Sequence, residues 1–410
     1  MQIRIFFLSL LAWACSSPAN KELKQTVQEP VNIALLHSPG DSTQAQGEPL
    51  LHTDPNGNLY LSWIEAVDSA THRLQYARWQ DGGWSAPITI AQGSDWFVNW
   101  ADFPQFAADG KGHYVATFLQ KAGPGTYAYD IMLTHSANGT DWTKPKPLNE
   151  DGKEAEHGFV SIVPNAEGFL LSWLDGRRTN PMPVGAHDHD HHDAGQMTVR
   201  TAQLDTAGKK IWEEEVDERT CDCCQTSIAN GPGGPMVVYR DRSDKEIRDI
   251  YIAHRAEGQW VSNALHADGW EINGCPVNGP HLEARGSMVA AAWYTEADKK
   301  PGVYLKWSAD GGKNFGERLA IHDSVPLGRV DLVLVSDSTA VVCWMEGNRI
   351  LARNVGRDGN MGAIQTIGVN SSKRSAGFPQ VSLAGQDLVF AWTNADSRRI
   401  VTVRTAHLPR

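Results

Sequence analysis

The sequence predicts an all-β fold, a β-propeller of seven blades with four antiparallel strands each, and the main observation behind this is a repeat. A strand, a turn and a second apolar strand ending in an aromatic residue occur seven times along the 410 residues. Units of this length must stack, because one unit cannot bury its apolar face alone. Units made only of strands and turns favour radial closure into a propeller. Six blades is the alternative if one weak unit is absorbed. The seven aromatic residues are Trp63, Phe118, Trp173, Tyr239, Trp293, Trp344 and Trp392.

Each repeat expands into four strands, and the last repeat is too short to supply all of its own. In the first unit the runs LLHTD, LYLSW, HRLQYARW and WSAPITI alternate in polarity and are separated by Asn-Gly or Asp-Gly turns. After Trp392 only RRIVTVRTAHL remains, enough for one further strand. The run VNIALLHS (Val31–Ser38) is otherwise unassigned. We expect it to complete the last blade, since ring closure removes exposed strand edges.

The N-terminus has the features of a targeting segment. Arg4 precedes the short apolar run IFFLSLLAWA, and Leu11–Cys15 resembles a bacterial lipobox. We therefore predict a lipoprotein signal peptide over residues 1–15, an acyl chain on Cys15, a polar tether over residues 16–29 and a single propeller domain over residues 30–410. This would place the protein in the bacterial cell envelope, periplasmic or at the cell surface. An ordinary signal peptide cut near the same place is the alternative.

The bulk composition excludes two classes of partner. The formal net charge of −11 argues against nucleic acid, because phosphate binding needs a basic surface. After the N-terminus no run of 18 apolar residues occurs, so no membrane-spanning helix is predicted. The lipid bilayer is therefore expected as a partner only through Cys15.

Two segments carry a turn signature that indicates a family. Ser308–Phe315 has the form S-x-D-x-G-x-x-aromatic, and Ser136–Trp142 is a variant with Asn in place of Asp. In such a turn the Asx side chain caps backbone N–H groups. Both segments fall between the predicted third and fourth strands of their units. They resemble the Asp-box, or bacterial neuraminidase repeat, of the sialidase superfamily, and the resemblance implies a propeller fold and a glycan substrate.

Cysteines collect in the loops that should surround one end of the channel. Loops before the first strand of a blade, and those between its second and third strands, lie at this end. Cys221, Cys223 and Cys224 precede the first strand of unit four, and Cys275 precedes that of unit five. Such thiolates suit Zn or Cu(I), with His157 of the corresponding loop in unit three as a nitrogen ligand. A disulfide to Cys275, favoured by an oxidising compartment, and a reactive thiol remain alternatives.

A His/Asp tract, HDHDHHD, lies at residues 187–193 in the loop between the second and third strands of unit three. Such tracts collect Zn, Cu or Ni. The tract either captures an ion for the channel mouth or is a solvated insertion that binds metal only incidentally.

The resemblance to sialidases also implies a set of catalytic and binding roles. Sialidases hold the substrate carboxylate with three arginines, whose planar forks match it, and they use a Tyr nucleophile assisted by Glu with an Asp as acid/base, outside the usual two-carboxylate scheme. Alternatively, the arginines pair with neighbouring acids and tie blades together. Matching by location assigns Arg242, Arg329 and Arg374 with Trp100 to substrate binding, and Tyr294, Glu296 and Asp102 to catalysis.

The sequence thus supports three functions. The first is an envelope-tethered sialidase-like propeller that binds, and if active hydrolyses, a sialic-acid-like or other acidic glycan without a cofactor. The second is a non-enzymatic propeller that binds copper or zinc through the cysteines. The third is a scaffold for protein partners whose channel mouth is closed by a disulfide.

Overall fold

The computed structural model describes residues 31–179, 195–406 and 408–409, and its strands form seven antiparallel sheets. The predicted seven-bladed propeller is confirmed. Among the described residues, only short 3-10 turns at Ala297–Lys299 and Arg374–Ala376 interrupt the strands and loops, and no helix is long and apolar enough to cross a bilayer. The predicted signal peptide, Cys15, the tether and the His/Asp tract lie outside the described residues.

Strands are numbered in chain order, and each blade takes its strands from one continuous stretch apart from the seventh. Blade one comprises β2 (Gln46–Thr53), β3 (Leu59–Ala66), β4 (Thr71–Gln80), β5 (Gly83–Trp84) and β6 (Ile88–Ser94). Blade two comprises β7 (Gln105–Ala108), β8 (Tyr114–Lys121), β9 (Tyr129–Ser136) and β10 (Lys146–Pro147). Blade three comprises β11 (His157–Pro164), β12 (Gly168–Asp175), β13 (Thr198–Asp205) and β14 (Lys210–Asp217). Blade four comprises β15 (Ser227–Gly231), β16 (Gly234–Arg240), β17 (Ile250–Ala256) and β18 (Gln259–His266). Blade five comprises β19 (His281–Arg285), β20 (Met288–Thr295), β21 (Gly302–Ser308) and β22 (Leu319–Ala320). Blade six comprises β23 (Gly328–Ser336), β24 (Thr339–Glu346), β25 (Arg349–Gly356) and β26 (Gln365–Val369). Blade seven comprises β27 (Gln380–Ala384), β28 (Asp387–Asn394), β29 (Arg399–Thr405) and β1 (Ala34–Leu36). In blade one, both β5 and β6 pair with β4, so the fourth place is shared by two short strands.

The second strand of each blade is buried on both faces, which explains its nearly continuous apolar sequence. All eight residues of β12, β20 and β24 are buried. A strand between two packed sheets has no solvent face, so polar alternation is lost. This is why the repeat is easiest to recognise at the second strand.

The aromatic residue that ends each repeat joins its blade to the preceding one. Trp173 of blade three packs with β8 and β9 of blade two, and Trp63 of blade one packs with β28 and β29 of blade seven. The other five aromatics occupy the corresponding clusters. Seven clusters at seven blade interfaces make a closed ring, because the last blade packs against the first.

The N-terminal strand completes blade seven as predicted. Ala34, Leu35 and Leu36 of β1 pair antiparallel with residues 402–404 of β29, in the order β1-β29-β28-β27. The outermost strand of blade seven therefore comes from the opposite end of the chain to its other three. This pairing covers the edge of β29 with three residues of backbone hydrogen bonding.

Both Asx turns adopt the hydrogen-bonded form that their sequences predict. The Asp310 carboxylate accepts hydrogen bonds from the Ser308 hydroxyl at 2.7 Å and the Asn314 amide at 2.9 Å. In the shorter turn the Asn138 side-chain oxygen accepts from the backbone amides of Thr140 and Asp141, both at 2.9 Å. The turns follow β21 and β9, the third strands of their blades.

The innermost strands of three blades begin with a bulge that matters for the channel. Glu48, Phe159 and Arg329 each follow a glycine and have φ between 54 and 56°. The pairing register shifts at each of these points. Gly158, which precedes Phe159, has no room for a side chain, because an added Cβ would lie 1.9 Å from Oδ2 of Asp102. A carboxylate of one blade is thus held against the backbone of the next.

Candidate functional site

Loops of blades two, four and five meet at one end of the channel. The Gln225 side chain accepts a hydrogen bond from the Gly279 amide at 2.9 Å and donates one to the Ala101 carbonyl at 2.6 Å. Gln225 follows the Cys-Asp-Cys-Cys segment, and Gly279 follows Cys275 along the chain. The two cysteine segments therefore share one rim, as the repeat predicted.

Three sulfur atoms lie together at this rim. The Sγ of Cys221 is 3.7 Å from that of Cys224 and 3.9 Å from that of Cys223, and all three lie within 4.8 Å of one another. All of them are free thiols in the structure. Sulfur atoms that bind one Zn at about 2.3 Å in a tetrahedron are about 3.8 Å apart. The observed spacing therefore fits a metal bound by three thiolates.

Cys275 belongs to the rim but stands beside the three-sulfur group. It lies in the loop between β18 and β19, and its thiol contributes to the raised pKa of Cys223. Cys221 and Cys224 are 0% and 2% exposed, whereas Cys223 and Cys275 are partly exposed. The cluster thus has a buried side on blade four and an accessible side towards blade five.

Two buried guanidinium groups border the sulfurs. Nη1 of Arg248 lies 3.3 Å from the Sγ of Cys221, and Arg248 is also bound by Glu246. Arg240 is 2% exposed and donates to the carbonyls of Asn278, Arg248 and Tyr294 at 2.7–2.8 Å. Among the described residues, no carboxylate lies within ion-pair distance of Arg240. Because a buried cation without a counter-charge is costly, the sulfur cluster is the natural site for the balancing negative charge.

The environment concentrates that negative charge on Cys224. Burial opposes its ionisation, but hydrogen bonds from Cys221 and Cys223, the charge of Arg240 and the Asn278 amide outweigh burial and hold the pKa of Cys224 well below its ordinary value. Burial raises the pKa of Cys221 and, more strongly, of Cys223. A metal ion that replaces the remaining protons would bind a site already organised for anions.

His157, which the sequence predicted as a ligand of the cysteine cluster, belongs to a separate group of side chains. Its Nε2 is 2.9 Å from the Asp151 carboxylate and its Nδ1 is 3.2 Å from the Tyr129 carbonyl. It forms a second compact group with Asp151 and Asp175. The Arg177 guanidinium already binds both of these carboxylates, at 3.3 and 2.7 Å. This group therefore forms a buried ion-pair network within blade three.

The three predicted substrate arginines differ in how far their charges are satisfied. Arg242 is bound by Glu246 at 2.9 Å and Asp222 at 3.1 Å, so its charge is already balanced within blade four. Arg329 is 7% exposed and donates to the carbonyls of Lys373 and Gly377. Burial and the neighbouring charge of Arg374 lower the pKa of Arg329 to about 10. Arg242 is therefore part of a structural ion-pair network, whereas Arg329 and Arg374 are two neighbouring positive charges.

Trp100 connects this arginine pair to the aromatic lining of the mouth. The guanidinium of Arg329 lies 5.0 Å from the centre of the Trp100 ring, and the Trp100 ring stacks on Phe378 at 5.8 Å and 14°. Trp100 and Cys223 also pack against the same apolar cluster. The arginine pair, the aromatic surface and the cysteines therefore line one mouth.

The proposed catalytic groups lie around the same channel. Tyr294 is buried, and burial, followed by the charge of Glu296, raises the pKa of its hydroxyl to about 12. Glu296 is exposed, two residues after Tyr294 along the chain. Asp102 accepts from the Phe159 amide at 2.6 Å and from the Tyr129 hydroxyl at 3.4 Å. Burial raises the pKa of Asp102 to about 7 despite those two hydrogen bonds.

The structure adds residues that the sequence did not single out. Arg248 is the direct neighbour of a cysteine sulfur, and only its position in the alternating run RDRSDKEIRD hinted at an ion-pair network. Deeper in the channel, Nδ1 of His281 lies 2.7 Å from the Asp331 carboxylate, and Glu283 lies two residues further along β19. His281 and Asp102 both line a channel cavity of about 70 Å³.

Comparison with known proteins supports the architecture. No protein-family model matches the chain, and no curated protein resembles it in sequence. The BP39L lectin from Burkholderia pseudomallei has a TM-score of 0.58 and 10% identity, over 93% of this chain and 97% of that chain. An α-L-arabinofuranosidase from Fusarium graminearum has a TM-score of 0.51 and 13% identity, over 91% and 97%. The NanB sialidase of Streptococcus pneumoniae has a TM-score of 0.44 and 13% identity, over 93% of this chain and 71% of that chain. The likenesses to the lectin and to the arabinofuranosidase show the propeller fold.

Proposed function

We propose that this protein is a propeller that binds one soft metal ion, Cu(I) or Zn(II), through Cys221, Cys223 and Cys224. The observation that carries the proposal is the spacing of the sulfurs, 3.7 and 3.9 Å from Cys221, which matches the edge of a metal–thiolate polyhedron. Free cysteines that merely fill a core need no such convergence. The sequence spacing C-x-C-C places all three ligands on one short loop of blade four.

The charges around the cluster support an anionic metal site. The hydrogen-bond acceptors of Arg240 among the described residues are all carbonyls, and Arg248 contacts a sulfur directly. Three thiolates and one Zn(II) carry a net charge of −1, and three thiolates and one Cu(I) carry −2. Both species would be stabilised by the two guanidinium groups, because attraction between charges is strong where water is excluded.

Metal analysis of the full chain, purified under reducing conditions, tests this proposal. A variant lacking residues 187–193 serves as the background, so that incidental binding by the His/Asp tract is removed. We expect one equivalent of zinc or copper per chain, lost in Cys223→Ser. The matched control is Cys343→Ala, since Cys343 is a buried cysteine of β24 outside the cluster, and it should keep the metal. Reduced protein without stoichiometric metal, or a Cys223→Ser protein that retains it, would contradict the proposal.

A second function, recognition of an acidic glycan or another small acidic ligand at the same mouth, is favoured by the arginine pair. No carboxylate among the described residues lies within ion-pair distance of Arg329 or Arg374, and Arg374 is exposed beside the Trp100 surface. A carboxylate ligand would supply the missing charge, and an aromatic ring is a suitable surface for a sugar. The lectin and the arabinofuranosidase share the fold with this chain, which is consistent with such a ligand.

Binding and hydrolysis assays separate this candidate from the first. We expect free sialic acid or another acidic sugar to bind the wild-type chain and to bind Arg374→Ala at least tenfold more weakly. The control is Arg285→Ala, since Arg285 is the exposed last residue of β19, at the opposite end of the channel. Hydrolysis of a fluorogenic sialoside would extend the proposal to catalysis. Absence of binding across a panel of acidic sugars would exclude it.

A further inference from the structure

The innermost strands each contribute one residue to a ring around the channel. The ring residue of a blade is the one that pairs with the residue just before the aromatic of that blade. Six of the seven ring residues are polar, although a strand packed between neighbouring blades needs no polar side chain for its burial. In blade order the ring consists of Leu50, Gln105, Ser161, Ser227, His281, Asp331 and Gln380.

Three of the polar ring residues are explained by hydrogen bonds between blades. Ser161, Ser227 and Asp331 each accept a hydrogen bond from a backbone amide of the next blade, at 3.1, 3.0 and 2.6 Å. In each case the amide belongs to the residue directly after the ring residue of that next blade. Such bonds hold neighbouring blades in register, so these side chains need no ligand to account for them.

The other three polar ring residues carry polar groups that the neighbouring blades leave without a partner. Gln380 is 6% exposed, and its side-chain amide has no hydrogen-bond partner among the described residues. The side-chain nitrogen of Gln105 reaches only the Phe103 carbonyl, at 3.4 Å. Nε2 of His281 lies 4.0 Å from the Glu283 carboxylate, beyond hydrogen-bonding distance. Because buried polar groups without partners are costly, polar atoms from outside the chain are expected beside them.

Gln105, His281 and Gln380 line the same cavity, which extends to the rim. All three belong to the wall of the channel cavity of about 70 Å³, as do the rim residues Gln225 and Phe378. One water molecule needs about 10–15 Å³ of such space, so the cavity holds about five to seven water molecules. A polyol of three or four carbons occupies a similar space.

The wall of the cavity favours a neutral ligand with an apolar side. Among the described residues no lysine or arginine lines the cavity, and the His281 imidazole lies 2.7 Å from the Asp331 carboxylate, so an anion would find no free counter-charge. Burial raises the pKa of Asp102 to about 7, so below that pH this carboxyl offers no full negative charge to a cation. The rings of Phe103 and Phe378, 6.1 Å apart, form an apolar surface for C–H groups.

We propose that the channel cavity binds a neutral polyol of three or four carbons, whose hydroxyl groups contact Gln105, Gln380 and Nε2 of His281. A hydroxyl group both donates and accepts hydrogen bonds, as the two side-chain amides do, so the two sets of groups match. The carbon atoms pack against the rings of Phe103 and Phe378. The site depends neither on the metal nor on the acidic ligand proposed above, because it uses none of their residues.

A titration of the full chain with polyols of increasing length, followed by ligand-observed NMR at pH 6, tests this inference. The probes are ethylene glycol, glycerol, erythritol and sorbitol, which have two, three, four and six carbons. We expect glycerol or erythritol to bind most tightly, and ethylene glycol and sorbitol to bind at least tenfold more weakly. Gln380→Leu should weaken binding by about tenfold, because the ligand loses a hydrogen bond to a buried amide. Gln105→Leu should do the same, and it decides the question if thermal unfolding shows that Gln380→Leu is not folded.

Gln75→Leu is the matched control. Gln75 is also buried with a side-chain nitrogen that has no partner, but it lies on β4 and does not line the cavity. It should keep the wild-type affinity for the polyol. Cys223→Ser and Arg374→Ala should keep it as well, so the outcome for this cavity is separate from the outcomes for the metal and the acidic ligand.

Three results would overturn the inference. The first is an absence of binding for all four polyols, which would leave the cavity to water. The second is binding that increases steadily with polyol length, or that neither Gln380→Leu nor Gln105→Leu weakens. The third comes from lactate, which is close to glycerol in size but anionic and should bind at least tenfold more weakly than glycerol. Tighter binding of lactate would show that the cavity does not select a neutral ligand.

Discussion

The buried carboxyl of Asp102 should make the stability of the propeller depend on pH in a defined direction. Burial raises the pKa of Asp102 from an ordinary value of 3.8 to about 7 in the folded protein. Because the folded state holds this proton more tightly, stability is highest when the group is protonated and decreases as the pH rises from about 4 to about 7. Above pH 7 both states are ionised and the contribution is constant.

The substitution Asp102→Asn removes this titration while keeping an oxygen that can accept from the Phe159 amide. Each pKa unit is worth about 1.4 kcal/mol, so the variant should gain roughly 3 kcal/mol relative to the wild type between pH 5 and pH 8. With an unfolding entropy of about 2 cal/mol/K per residue over the domain, the difference in Tm should change by about 4 °C. Thermal unfolding of both proteins between pH 5 and pH 8 measures this change.

Glu214→Gln provides the control. Hydrogen bonds from Arg255 and Trp260 lower the pKa of Glu214, and no histidine is among its partners. Its contribution is therefore constant above the ordinary value and is lost only as the pH falls below it. The difference between Glu214→Gln and the wild type should stay the same from pH 5 to pH 8. A constant difference for Asp102→Asn as well would refute the argument from burial.

Three further predictions concern stability and can be checked by thermal unfolding. Arg240→Met should lower the free energy of unfolding by about 3 kcal/mol or more, because several buried carbonyls lose their donor. Arg255→Met removes one partner of a partly exposed ion pair and should lower it by under about 1 kcal/mol. Equal effects of the two substitutions would contradict the role assigned to Arg240. Gly158→Ala should lower the Tm by several degrees, because the new Cβ would overlap the buried Asp102 carboxylate. The control Gly83→Ala should be tolerated, because a Cβ on Gly83 meets no atom within 4 Å. An unchanged Tm for Gly158→Ala would show that this part of the rim is loosely packed. Removal of residues 31–38 should lower the Tm and promote aggregation relative to a chain that begins at residue 31, because the edge of blade seven is exposed; an unchanged Tm would show that the closing strand is dispensable.

The sequence alone was enough for the architecture because the repeat is a consequence of packing. An aromatic such as Trp173 recurs once per blade since each blade must fill the same space against the previous one. The pairing of β1 with β29 followed from counting strands in the last unit. The meeting of Cys221 and Cys275 at one rim followed from the ring, without any knowledge of side-chain positions.

The assignment of roles within the rim required the structure, because a side chain's partner is not set by its place in a loop. His157 occupies the loop equivalent to that of the cysteines, yet both of its nitrogens bind groups within its own region of the ring. Arg242 looked available in sequence, but Glu246, four residues later, binds it through two nitrogens. Arg240 lies two residues earlier and has no such carboxylate among the residues that the structure describes. These outcomes depend on individual rotamers, which the repeat does not encode.

The strand that closes the ring has a consequence for the order of folding during synthesis. Ala34 of β1 pairs with Arg404 of β29, so β1 is synthesised long before the strand that it pairs with. Until β29 emerges, the nascent chain carries an unpaired apolar strand and a set of partly assembled blades. Biogenesis of this protein should therefore depend on factors that keep β1 in solution until β29 has been synthesised.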